Sequence, residues 1–166
     1  MVCAMNPCKC GWYGDPSGRC TCSERSVNEY RSRISGPLLD RIDIQIEVDA
    51  VPVKEISTGN AGESSAAVGA RVRKARELQQ ERYKLDGIHC NAQLDAKLTR
   101  RYCALTQEAE AILHMAVDRM GMSMRAYSRV LKVARTIADL EGAANIQTAH
   151  IAEAIQYREL DGKYWR

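Results

Sequence analysis

Four cysteines in two tight pairs, Cys8-x-Cys10 and Cys20-x-Cys22, restrict this chain more than any other feature. They follow a short apolar run and an Asn6-Pro7 dipeptide. A connection carrying Gly11, Gly14, Pro16 and Gly18 separates the pairs. In an extended segment, residues two apart point the same way, so each pair offers two sulfurs to one point. The turn-rich connection then folds one pair over the other. Four thiolates in a tetrahedron suit a closed, structural zinc ion. The spacing is tighter than the common C-x2-C knuckle. The bland alternative is four unligated, oxidisable thiols on a loop, and an iron–sulfur cluster ranks below both. The chain has seven cysteines, and Cys90 and Cys103 stand alone. Met1-Val2-Cys3-Ala4-Met5 lacks the positive end and long apolar core of a secretory leader, so a disulfide framework gains no support. Cytoplasm is the expected compartment.

The 166 residues suffice for a real core, as one domain or two small pieces. A net charge of +3 falls short of what gripping nucleic acid by charge alone requires. No apolar run approaches the ~18–20 residues of a membrane span, and no membrane partner is expected. Residues 1–5 read as a strand, 6–22 as turns, and 23–34 as a polar helix stopped by Ser35-Gly36-Pro37. Ile42 to Asp49 alternates apolar and polar with period two, the pattern of a half-buried strand. Pro52, Gly59 and Gly62 mark 51–64 as a linker. Beyond it every pattern is helical. Val68, Val72, Ala75 and Leu78 define one face of a helix over 65–84, and a short helix follows near 95–103. Thr106 caps a helix closed by Gly121, Ser123 caps one closed by Gly142, and Thr148 caps a last one. The fold class is an α-rich α/β chain: two strands, a Cys loop and a helix over 1–50, then an all-α bundle over 65–166.

Single polar residues are more ambiguous. Asn6-Pro7 is an ordinary turn initiator, and Arg41 between Asp40 and Asp43 makes sense as a local surface ion pair. Arg125 is less ordinary. It falls in the first turn after Ser123, where the helix dipole disfavours a cation by some 0.3–1 kcal/mol. An arginine placed there meets an anion or is simply solvated. Arg71, Arg73, Lys74 and Arg76 spread around their helix and read as a solvated face. His89, His114 and His150 have no ligand spacing.

Taken in order, three stretches carry a resemblance. They are Ala4-Met5-Asn6-Pro7-Cys8-Lys9-Cys10-Gly11, Cys20-Thr21-Cys22, and Arg33-Ile34-Ser35-Gly36-Pro37-Leu38-Leu39-Asp40-Arg41-Ile42-Asp43. With Asn91-Ala92-Gln93-Leu94 and the run from Ser123-Met124-Arg125 to Asp139-Leu140, they resemble the magnesium-chelatase-like AAA+ ATPases of the ComM (YifB) family. The resemblance implies that 1–50 is the end of an AAA+ core and that 65–166 is its helical lid. It implies ATP and Mg2+ as cofactors beside the structural Zn2+, and a homo-hexameric ring as the assembly. Asn6 takes the sensor-1 role, and Arg41 that of the arginine finger reaching a neighbour's ATP, with Asp40 orienting it. Arg125 becomes sensor 2, directed at its own subunit's nucleotide.

The chain also departs from the family. It contains no G-x-x-x-x-G-K-[ST] loop, no apolar strand ending in Asp-Glu, and no Lon-protease-like domain. It thus resembles the second half of such an ATPase and is expected to hydrolyse no ATP alone. The function implied for the whole protein is ATP-driven remodelling of DNA, with branch migration the leading form. The competing reading is a zinc-stabilised helical module that binds nucleic acid or protein without catalysis. Metal insertion into a porphyrin ranks last.

Overall fold

A computed structural model of the chain describes residues 2–48, 51, 62–158 and 160. Helices α1 (Glu24–Arg31) and α2 (Gly36–Leu39) follow the Cys loop. The bundle comprises α3 (Ser65–Arg82), a 3-10 turn (Asn91–Gln93), α4 (Ala96–Tyr102), α5 (Gln107–Met120), α6 (Met124–Glu141) and α7 (Thr148–Gln156). Local chemistry sets most of these ends. The hydroxyls of Ser23, Ser64, Thr106 and Ser123, and the carboxylate of Asp95, each accept from a backbone N–H in the first turn of their helix. Gly121 and Gly142 close α5 and α6 with φ of 54° and 76°, a conformation that a Cβ disfavours. Nothing lies near a Cβ built at Gly142. Gly142→Ala is therefore expected to cost about 1 kcal/mol through backbone strain alone, read from a urea midpoint.

Helix α6 is the axis of the bundle. Its Ala126, Val130, Leu131, Ala134, Ile137 and Ala138 are buried, and α3, α4, α7 and the 3-10 turn all pack on it. Alanines let these helices approach closely, which suits a chain without phenylalanine. The core runs from Tyr83 to Ala154 and takes in Leu113, Ile146 and Ile151. A parallel bridge between Leu105 and Ile146 pins together the segments that lead into α5 and α7.

The structure corrects three expectations. Among the described residues there is no strand at 2–5 or at 42–48. The alternation of Ile44, Ile46 and Val48 is real, but these side chains are 51%, 64% and 79% exposed. A strand exists only as part of a ladder. Among the described residues, the backbone bond that ties this segment to the bundle runs from Gln45 N–H to the Tyr157 carbonyl at 2.9 Å. Second, the packed face of α3 is not the apolar one. Val68, Val72 and Leu78 are 40% or more exposed, whereas Ala75 and Gln79 are buried. Gln79 turns inward because its carbonyl oxygen accepts from Asn91 N–H at 3.2 Å. Third, Gln147 rather than Thr148 caps α7, in a reciprocal capping box with His150. Of the expected linker, 52–61 lies outside the described residues, as do 161–166 of the expected lid.

Candidate functional site

The chain presents two chemistry-bearing centres. In the first, the Cys8 carbonyl accepts from Gly11 N–H at 3.1 Å, which closes a tight turn, and Gly11 continues it at φ +84°. That turn lays Gly11 against the side chain of Asn6. Further on, the Asp15 carboxylate accepts from Ser17 N–H at 2.8 Å and bends the chain back toward the second pair. Arg31 anchors the loop to α1 by donating to the Pro7 carbonyl at 3.2 Å and stacking over Tyr13. The Cys8 sulfur is 3.3 Å from that of Cys10 and 3.9 Å from that of Cys20, and Cys10 and Cys20 are 3.6 Å apart. All four sulfurs, Cys22 included, lie within 4.8 Å of one another. A tetrahedral ion with bonds of about 2.3 Å needs sulfurs about 3.8 Å apart. The residues therefore fit zinc, which would be held by Cys8, Cys10, Cys20 and Cys22 and would serve as a structural cross-link.

The electrostatics of the quartet agree with that fit. The N–H groups of Trp12 and Thr21 aim at the Cys10 sulfur and lower its pKa to about 6. Burial opposes ionisation of Cys8, yet the N–H groups of Tyr13, Cys10 and Trp12 outweigh it and lower that thiol too. At Cys20 the N–H of Cys22 favours the thiolate. Burial and the neighbouring sulfurs override it and push the thiol up to about 11. Cys22 is raised in the same manner despite the N–H of Cys10. Thiolates this close repel, and a divalent cation removes the conflict.

The second centre is a groove of about 760 Å³ beside α6. Arg41, Arg125, Arg129 and Lys132 line it, against two acids, Asp43 and Glu153. Arg129 is paired with Asp43, and Glu153 accepts from the Tyr157 hydroxyl at 3.1 Å. Arg41 makes a hydrogen bond to the Pro37 carbonyl at 3.3 Å, and Lys132 a long one of 3.4 Å to the Ala92 carbonyl. Positive charge exceeds negative along this wall. The structure thus brings Arg41 and Arg125 to one groove, whereas Asp40 does not line it and accepts instead from the Ser123 hydroxyl at 3.1 Å. Asn6 does not line the groove and sits against the Cys loop. Sequence reasoning missed Arg129 and Lys132. Their spacing of four and seven residues from Arg125 puts all three on one helix face, a signal available in the sequence.

A helical bundle with a cationic groove, preceded by a four-sulfur loop, is the form this chain gives to a known family. Residues 62–158 match the magnesium chelatase subunit ChlI C-terminal family, and residues 1–56 match magnesium chelatase subunit ChlI. The chain belongs to this magnesium-chelatase-like family and is thereby an AAA+ family member. It is 42% identical over 161 residues to the competence protein ComM of Haemophilus influenzae, covering 96% of this chain and 30% of that protein. It is 41% identical over 162 residues to the uncharacterized protein YifB of Escherichia coli, covering 97% of this chain and 31% of that one. The chain spans less than a third of the length of these relatives. No helix among the described residues is long and apolar enough to cross a membrane.

Proposed function

We propose that this chain supplies the arginine finger and lid of a ring-forming AAA+ ATPase, a hexamer that couples ATP hydrolysis to DNA remodelling such as branch migration. The observation that carries this reading is the convergence of Arg41 and Arg125 on one groove. A triphosphate bound in the groove would lie between walls that carry both guanidinium groups, with Lys132 adding charge on the same helix face as Arg125. This changes one role inferred from the resemblance. A finger that reaches a neighbour's nucleotide carries the lid arginine with it, so Arg125 serves that neighbour and not its own subunit. Both guanidinium groups neutralise charge that develops on the transferred phosphoryl oxygens. Mg2+ bound with ATP would shield the phosphates. Asn6 and the metal loop beside it belong to the other face of the ring joint, where Asn6 orients the attacking water.

Tripolyphosphate titrated into this chain by calorimetry tests the groove directly. Arg125→Ala and Lys132→Ala are each expected to weaken binding about tenfold, the scale of one charge-assisted hydrogen bond. Arg119→Ala, an exposed change on α5 away from the groove, leaves it unaltered. Equal affinity of the wild type and Arg125→Ala would refute the assignment. In the whole protein, Arg41→Ala should lower ATP turnover by about 10³-fold or more.

A further inference from the structure

Arg158 follows the end of α7, is 1% exposed, and is among the largest fully buried side chains. A guanidinium is rarely sunk this deep without a structural or functional task. Its contacts define the task. It donates to the carbonyl oxygen of Ile42, and its Nη2 lies 3.7 Å from Asp40 Oδ1. Asp40 and Ile42 are the two residues that flank Arg41. One arginine therefore bonds the backbone just after Arg41 and stands in ion-pair range of the side-chain carboxylate just before it.

Three further contacts close the clamp. Ser123 donates to Asp40 Oδ2 at 3.1 Å, and its oxygen also accepts from Ala126 N–H at 3.1 Å, capping α6. Arg129 pairs with Asp43, and Gln45 N–H donates to the Tyr157 carbonyl. The segment 40–45 is thus tied to the start of α6, two residues before Arg125, and to the end of α7. We propose that Arg158 is a positioning residue for Arg41, with Asp40 as its partner, so that the finger and the lid arginine are presented as one rigid unit. This rests on the groove reading above for its functional meaning. The geometric part stands independently. A lysine keeps the charge but lacks the planar fork that presents Nη1 to the Ile42 carbonyl and Nη2 toward the Asp40 carboxylate.

The test uses Arg158→Lys in this chain, which keeps the charge and removes the fork. Amide hydrogen exchange at 40–46 is expected to accelerate about tenfold or more, while α5 and α6 amides stay protected. In the tripolyphosphate titration, Arg41→Ala should weaken binding about tenfold in the wild type and less than about twofold in the Arg158→Lys background. An arginine that merely stabilised the fold would lower the melting temperature and leave the Arg41→Ala factor intact, which would overturn the proposal. Unchanged exchange at 40–46 would overturn it as well. If Arg158→Lys unfolds the bundle, Asp40→Asn, at a position 37% exposed, reads the same local exchange. Failure of the wild type to bind tripolyphosphate removes the groove reading alone, and exchange then decides whether the clamp exists.

Discussion

Replacing Cys8 with serine, or stripping the protein with a strong chelator, is expected to release one equivalent of zinc and melt residues 6–23 while the bundle stays folded. The sulfurs of Cys8, Cys10 and Cys20 stand 3.3–3.9 Å apart, near the separation a tetrahedral ion requires, and Cys22 lies within 4.8 Å of them. The loop has little else to hold it. Cys8 is its one fully buried apolar residue, and its regular contacts are turns and stacked arginines, Arg19 on Trp12 and Arg31 on Tyr13. Structural zinc contributes on the order of 10–16 kcal/mol in small zinc domains, far more than such contacts supply. The bundle is insulated because its core begins at Tyr83 and draws nothing from the loop. The pH dependence has a definite sign. Zinc takes thiolates, so loading must expel the protons that the raised pKa values of Cys20 and Cys22 retain near neutrality. Affinity should therefore rise with pH, and loading should acidify a weakly buffered solution. Elemental analysis together with loop amide exchange before and after chelation checks this. A metal content well below one equivalent, or a loop indifferent to chelation, would remove the centre.

The second large effect is expected at Asp139, whose side chain is fully buried. It accepts from Arg82 through two nitrogens at 2.9 and 2.5 Å, from Arg135 Nε at 3.1 Å and from Asn91 Nδ2 at 2.9 Å. Asn91 in turn accepts from the Tyr83 hydroxyl at 2.6 Å. One carboxylate thereby joins α3, the 3-10 turn and α6, and its hydrogen bonds hold Arg82 firmly protonated. Asp139→Ala would leave Arg135, 3% exposed, and Arg82, 20% exposed, without their counter-charge. Breaking a buried pair from one side costs about 3–5 kcal/mol, a large share of the ~5–15 kcal/mol typical of a domain. Urea unfolding followed by circular dichroism should show this loss. A change below about 1 kcal/mol would mean the network is not what holds these elements together.

This network also explains where sequence reasoning succeeded and where it stopped. Helix ends depend on residues three or four apart, so Thr106, Ser123, Gly121 and Gly142 were readable by local rules. The sulfur quartet was readable for the same reason, since its two pairs are compact and a turn-rich loop joins them. The face of α3 was misread because Val68, Val72 and Leu78 satisfy the helical period, whereas the actual packing follows Gln79 and Arg82 toward partners 12 and 57 residues away. Period two at 42–48 was read correctly as a pattern and wrongly as a strand, because pairing depends on a neighbour that no pattern within the segment reveals. Arg158 gave no local signal at all. Its meaning comes from lying beside Asp40 and Ile42, a proximity that only the folded chain creates. The roles of Arg41 and Arg125 came from the family resemblance, and their shared groove from the structure.

The parallel bridge between Leu105 and Ile146 has a mechanical consequence. It fixes the entrance of α7 like a fulcrum, while Arg158 rides at the far tip of that helix. Nine residues of helix make an arm about 13 Å long. A swing of roughly ten degrees about the pinned end would carry the tip through about 2 Å, and the bonds from Ser123 and Arg129 to segment 40–45 are what hold the loop to α6 against it. That stroke is comparable to the difference between touching a phosphate oxygen and losing it.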